Sequence, residues 1–141
     1  MRAIACERFL DASLAHQWFL EDEADRKYSL AVLASLSEKR ALVPLPWFYE
    51  VGNGLLIRAY RRKRIALDQI DRFLVRLKAL PIQAAQQTPA EILELPALAQ
   101  VRGLTNYDAA YLAVAKRFSL PLATTDKDLR NAAAFVGVSV A

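Results

Sequence analysis

A chain of 141 residues, 55% hydrophobic and 24% charged, has the length of one domain (1–141) and enough apolar mass for its own core. Its net charge of +4 favours a polyanionic partner, and its single cysteine, Cys6, excludes an internal disulfide and fits a reducing, cytoplasmic setting. Arg2, Glu7, Arg8 and Asp11 leave no signal-peptide core, and no apolar run reaches the ~18 residues of a membrane span.

In chain order, Phe9-Leu10 reads as a short buried strand ending at Asp11, and Ser13 as the cap of a helix through Trp18-Phe19-Leu20. Residues 21–40, acidic first and basic last, read as a second helix with Leu30, Leu33 and Leu36 on its apolar face. ALVPL (41–45) is the second strand. Pro46 suits the first turn of the next helix, which carries Glu50 near its start and runs on through GNGLLIRAYRR. Gly52 and Gly54 each weaken that helix by about 1 kcal/mol relative to alanine, and close packing against a neighbour is the reason expected for them.

Residues 67–80 place Ile70, Phe73, Leu74, Leu77 and Leu80 at helical spacing, and PIQAA (81–85) follows as a short strand. Residues 88–103 read as helix, broken or kinked at Pro96 and ended by Gly103. TNYDAAYLAVAKRF (105–118) is a further helix, LPLATTD (120–126) a strand with its exit turn, and KDLRNAAAF (127–135) the last helix. GVSVA (137–141) closes as an edge strand. Strands alternating with helices predict an α/β fold with a parallel-rich sheet covered on both sides.

Four acids fall in one kind of place. Asp11 and Asp126 directly follow strands, while Glu50 and Asp108 lie in the first turns of helices. In an open α/β sheet those positions gather at one edge. Each acid has a structural reading. Thr105-x-x-Asp108 and Thr125-x-x-Asp128 are capping-box patterns, Asp126 can cap the last helix, and Glu50 complements a helix dipole. Asp11 is the hardest to explain that way, since a charge beside buried apolar residues is costly. Two carboxylates ~4 Å apart repel by roughly 4 kcal/mol at an effective dielectric of 20, so a cluster of four calls for raised pKa values or a cation. An all-oxygen donor set selects Mg²⁺ or Mn²⁺, and such an ion suits phosphodiester hydrolysis. The only histidine, His16, excludes a His-rich metal site and is expected on a helix surface; Cys6 has no nearby base, and no glycine-rich phosphate loop occurs.

LDAS (10–13), PWFYEVGN (46–53), LTNYDAAYL (104–112) and LATTDKDL (122–129), in this order and spacing, resemble a PIN-domain ribonuclease of the VapC toxin type. The resemblance runs from about Phe9 to Val140 and implies a PIN-like three-layer α/β/α fold, with a mostly parallel sheet of four to five strands. It also implies a metal-dependent endoribonuclease, usually a homodimer, held inactive by a cognate antitoxin whose tail enters the acidic groove. Asp11, Glu50 and Asp108 match the family's acidic triad for Mg²⁺ or Mn²⁺, and Asp126 its fourth acid. Thr124 matches the hydroxyl residue ahead of that acid. Ser13 and Asn53 would support the ligands from behind, and Asp128 is left as an outer acid or helix start. The family's first strand is usually a longer apolar run than Phe9-Leu10, which leaves this strand's length open.

IRAYRRKRI (57–65) carries Arg58, Arg61, Arg62, Lys63 and Arg64. If the Glu50 helix continues through it, RNA phosphates could follow this charge from about three turns away; a solvated helix end is the plain alternative. Trp18, Phe19, Trp47, Phe48 and Tyr111 are expected in core or dimer packing, with Tyr107 at the groove. Two rival functions remain: a non-catalytic PIN-like module binding RNA or protein, and a phosphoacceptor-type acidic pocket.

Overall fold

The computed structural model describes residues 6–21 and 25–141. Its sheet has strands β1 (Cys6–Leu10), β2 (Arg40–Val43), β3 (Ile82–Ala84) and β4 (Leu122–Ala123) in the order β3-β2-β1-β4, every pair parallel. Parallel neighbours require long crossovers. These are α1 (Ala12–Phe19) with α2 (Lys27–Ser35), then α3 (Pro46–Asn53), a π-helix (Gly54–Tyr60) and α4 (Leu67–Ala79), then α5 (Pro89–Leu93), α6 (Leu95–Arg102) and α7 (Asn106–Phe118). After β4 comes α8 (Lys127–Val136), and the tail forms a parallel bridge, Leu122 to Val140, where the fifth strand was expected. The α/β/α layering inferred from the sequence is the one observed.

The strands are apolar because helices cover both their faces. Phe9, Leu10, Ala41, Val43, Leu122 and Ala123 are wholly buried, packed with Leu14, Trp47, Tyr111, Leu112 and Leu129. Connections β1 to β2 to β3 proceed in one direction across the sheet, while β3 to β4 returns to the far side of β1. The strand order therefore reverses between β1 and β4, and the crevice beyond their C-terminal ends is where open α/β sheets bind ligands. Asp11 and Thr124 are the residues that step into it.

Several local expectations need correction. Asp11, not Ser13, is the boundary residue of α1; Ser13 lies inside the helix with its hydroxyl turned back to Asp11. The second helix starts only at Lys27. Part of its expected acidic start (residues 22–24) lies outside the described residues, and Asp25 precedes the helix with a left-handed φ of 57°. Val32 and Leu36 face the core there, whereas Leu30 is exposed. Glu50 sits in the second turn of α3 rather than the first. Phe48 is exposed, unlike Trp18, Phe19 and Trp47. The helical winding after Glu50 ends at Tyr60, so Arg61 to Arg64 form a turn, with Lys63 at φ 56°. β1 extends back to Cys6, with a register slip between Cys6 and Arg8.

The two glycines of the Glu50 helix differ in their surroundings. A Cβ on Gly54 would overlap the imidazole of His16, whereas one on Gly52 would meet nothing within 4 Å. Gly54→Ala should therefore cost ~1–3 kcal/mol through overpacking, and Gly52→Ala should gain up to about 1 kcal/mol of helix propensity. Denaturant midpoints of the two variants, moving in opposite directions, check this.

Candidate active site

A charge at the end of a buried strand must be hydrogen-bonded. Asp11 is 6% exposed, and its Oδ2 accepts from Ser13 Oγ at 2.7 Å and from Thr124 Oγ1 at 2.6 Å. The β1–β4 register sets Leu10 opposite Ala123, which brings the next residues, Asp11 and Thr124, side by side. Thr124 is fully buried. Its hydroxyl accepts from the amide of Asp126 at 3.0 Å, and its carbonyl accepts from Arg130 Nε at 2.9 Å. Ser13 Oγ accepts from the amide of Thr125 at 3.3 Å, so Ser13 links the loop after β1 to the loop after β4.

The other acids arrive from helix ends. Asp126 caps α8, its Oδ1 accepting from the amides of Asp128 and Leu129 at 2.9 and 3.2 Å. That cap replaces the Thr125-x-x-Asp128 box. Asp108 lies in the first turn of α7, where Thr105 Oγ1 accepts its amide at 3.1 Å as the capping pattern predicts. Glu50 projects from α3, and the Tyr111 hydroxyl donates to its Oε2 at 3.2 Å. Tyr111 is core, as expected, but its tip meets the site. Its place three residues after Asp108 on α7 was the available signal.

Charge couples these acids. Burial, then Asp11, then Asp108 push the Glu50 carboxyl from near 4.5 up to about 7, against the lowering effect of the Tyr111 hydrogen bond. Burial, Asp11 and Asp126 raise the Asp108 carboxyl. Burial and the charges of Glu50 and Asp11 push the Tyr111 hydroxyl up, so it stays protonated and donates. None of the four acids is in an ion pair among the described residues.

The donor set fits a hard cation. Asp11, Glu50 and Asp126 are each held through one oxygen, and among the described residues no hydrogen bond falls on the other. As they stand, no three His, Cys, Asp or Glu side chains among the described residues are grouped closely enough to hold an ion. Closing two carboxylates to ~4 Å without a cation costs roughly 4 kcal/mol at an effective dielectric of 20, a cost that a bound cation would offset.

Two recesses border α3. One, of about 260 Å³, is lined by Glu50, Asn53, Gly54, Ile57, Arg58 and His16. His16 is not the surface residue expected. Its ring is half-buried, with Nε2 3.1 Å from the Glu50 carbonyl and Nδ1 3.3 Å from Arg58 Nη1. Nothing in the spacing of the sequence announced this; Gly54 was the only clue. Arg61, Arg62 and Lys63 are exposed away from this recess, and Arg64 lines a different one with Trp18, Phe19 and Arg72. The other recess, about 750 Å³ and largely apolar, includes Leu45 and Ile92 together with Tyr49 and Tyr107, which directly precede Glu50 and Asp108 in the chain.

A family model described as PIN domain matches residues 8–134. Among solved structures the chain is similar to PAE2754 from Pyrobaculum aerophilum, with a TM-score of 0.67 and 24% identity over 93% of this chain and 87% of that one. It is also similar to FitAcB from Neisseria gonorrhoeae, with a TM-score of 0.63 and 21% identity over 94% of this chain and 95% of that one. These two likenesses concern the fold. No curated protein matches the chain.

Proposed function

This chain belongs to the PIN-domain family, and from that premise we propose that it is a metal-dependent endoribonuclease, the toxin of a toxin–antitoxin pair. One observation carries the nuclease reading: at the sheet's switch point the Glu50 and Asp108 carboxyls are pushed up by burial and by the charge of Asp11, with no ion-pair partner among the described residues. Asp11, Glu50 and Asp108 would hold the principal Mg²⁺ or Mn²⁺, and Asp126 would hold it too or a second. When bound, such an ion supplies Lewis-acid stabilisation to a phosphodiester and acidifies water. The chain's own contribution is aim. Ser13 and Thr124 fix one oxygen of Asp11, Tyr111 fixes one of Glu50, and the α8 amides fix one of Asp126. A carboxylate of the set takes the proton of the attacking water.

RNA would reach the pocket past Arg58, with Arg61, Arg62 and Arg64 adding weaker, salt-sensitive attraction. The toxin assignment rests on the run of VapC-like motifs. The apolar recess with its exposed Tyr49 and Tyr107 offers a surface for protein partners, which we assign to a second copy of the chain and to a cognate antitoxin. No helix among the described residues is long and apolar enough to cross a membrane, and we place the protein in the cytoplasm.

Incubating the purified protein with a mixed-sequence RNA tests the reading. Cleavage should appear with Mg²⁺ or Mn²⁺, stop in EDTA and resume on restoring the metal. Cutting that persists in EDTA overturns the metal-dependent mechanism. RNA bound but never cut in the presence of either ion makes the chain the non-catalytic module instead.

A further inference from the structure

We infer that Arg58 is the side chain that grips the RNA phosphate flanking the acidic pocket, and that His16 is the residue that positions it. This rests on the nuclease reading and adds a specific contact to it.

Helix geometry makes the first link. Arg58 lies eight residues after Glu50, and at roughly 100° per residue an unbroken α-helix would turn it about 80° away from the acid. The chain winds as α only to Asn53 and as a π-helix from Gly54 to Tyr60. Bonding of i to i+5 type reduces the turn to roughly 80° per residue, so four α steps and four π steps bring Arg58 to within about 10° of Glu50's direction. Both residues accordingly line one recess of about 260 Å³. That volume is below the ~300–1,000 Å³ of pockets that enclose whole ligands, and it suits one anionic group of a longer chain.

Hydrogen bonding makes the second. A carbonyl only accepts, so the contact with the Glu50 carbonyl puts the proton of His16 on Nε2, and Nδ1 is left to accept from the guanidinium of Arg58. One neutral tautomer satisfies both contacts. A neutral acceptor orients the guanidinium without cancelling its charge, and no carboxylate among the described residues forms a salt bridge with Arg58. Gly54 supplies the space, since any side chain there would displace the imidazole. His16, Gly54 and the π-helix together hold an exposed cation in the recess that Glu50 also lines, where it can make a bidentate phosphate contact.

Steady-state cleavage of a short mixed-sequence oligoribonucleotide with Mn²⁺ tests this. Arg58→Gln should raise KM about tenfold, the loss of one charge-assisted contact, while kcat falls far less. The salt dependence of binding should flatten by about 0.7, the slope of one phosphate contact on a single strand. His16→Gln keeps a donor for the Glu50 carbonyl but loses the Nδ1 acceptor, and should raise KM likewise; His16→Asn, which keeps an acceptor at that place, should restore it. In the Arg58→Gln background, His16→Gln should add nothing. Additive effects, a loss confined to kcat, or equal KM values for the two His16 variants overturn the positioning role. A wild type that cuts RNA while Arg58→Gln keeps its KM overturns the inference and leaves the nuclease reading intact. A wild type that cuts with neither metal removes both. Arg58 is exposed, so its variant keeps the fold even where a His16 variant does not.

Discussion

Asp11→Asn should lower metal-dependent RNA cleavage by at least ~10²–10³-fold, the scale of losing a principal stabiliser of transition-state charge. The same variant should melt no lower than the wild type in EDTA. Both expectations come from the geometry of one side chain. Asp11 is almost fully buried, and Ser13 and Thr124 supply two hydroxyls to one of its oxygens. Hydroxyls rotate, so each can meet an asparagine amide as well as a carboxylate. Removing the charge also relieves Glu50 and Asp108, whose carboxyls Asp11 raises. Melting temperature in EDTA and cleavage rate with Mn²⁺, read on the same preparation, separate a catalytic loss from a folding loss. Retained cleavage would remove Asp11 from the site.

The metal-free protein should lose stability as pH rises from about 4.5 to 8. Glu50 titrates near 4.5 when unfolded and at about 7 when folded. Below the lower value it is protonated in both states. Between the two, the folded molecule binds the proton that the unfolded chain releases, and above 7 the fold must carry a charge that water accommodates better. The full interval corresponds to ~3 kcal/mol, and with Glu50 partly open to solvent the realised loss is about 1–2 kcal/mol, several degrees of melting temperature. The raised carboxyl of Asp108 acts in the same direction. Glu50→Gln should flatten the profile. Saturating Mg²⁺ or Mn²⁺ should flatten it too, because the ion binds the deprotonated form and its affinity grows with pH. Melting curves in EDTA at half-unit pH steps check this; a profile independent of pH rejects the repulsive cluster.

Three of the acids sit at boundaries that local rules mark, a buried strand before Asp11, a threonine cap before Asp108 and a strand exit before Asp126, whereas Glu50, in the second turn of α3, has no such mark. What joins the four was less legible. The bond between Thr124 and Asp11 depends on β4 lying beside β1, a long-range pairing that no periodicity encodes. His16 read as a surface residue because α1 gives no sign of what crosses it, and the crossing point is a glycine 38 positions on (54 − 16). The π-helix was missed because its residues, GLLIRAY, have ordinary helical propensity and only tertiary packing selects the wider winding. Leu30 was misassigned because α2 turns Ser29, Val32 and Leu36 to the core, a face one position round from the one that Leu30 and Leu33 suggest.

The link between Asp11 and Thr124 spans 113 residues, which has a consequence for how the molecule is made. A growing polypeptide emerges N-terminus first, and β1 has no β4 to lean on until the three crossovers between them have been translated. The hydroxyl that orients Asp11 is thus made long after Asp11 itself, and a chain that stops short of β4 lacks both that hydroxyl and Asp126.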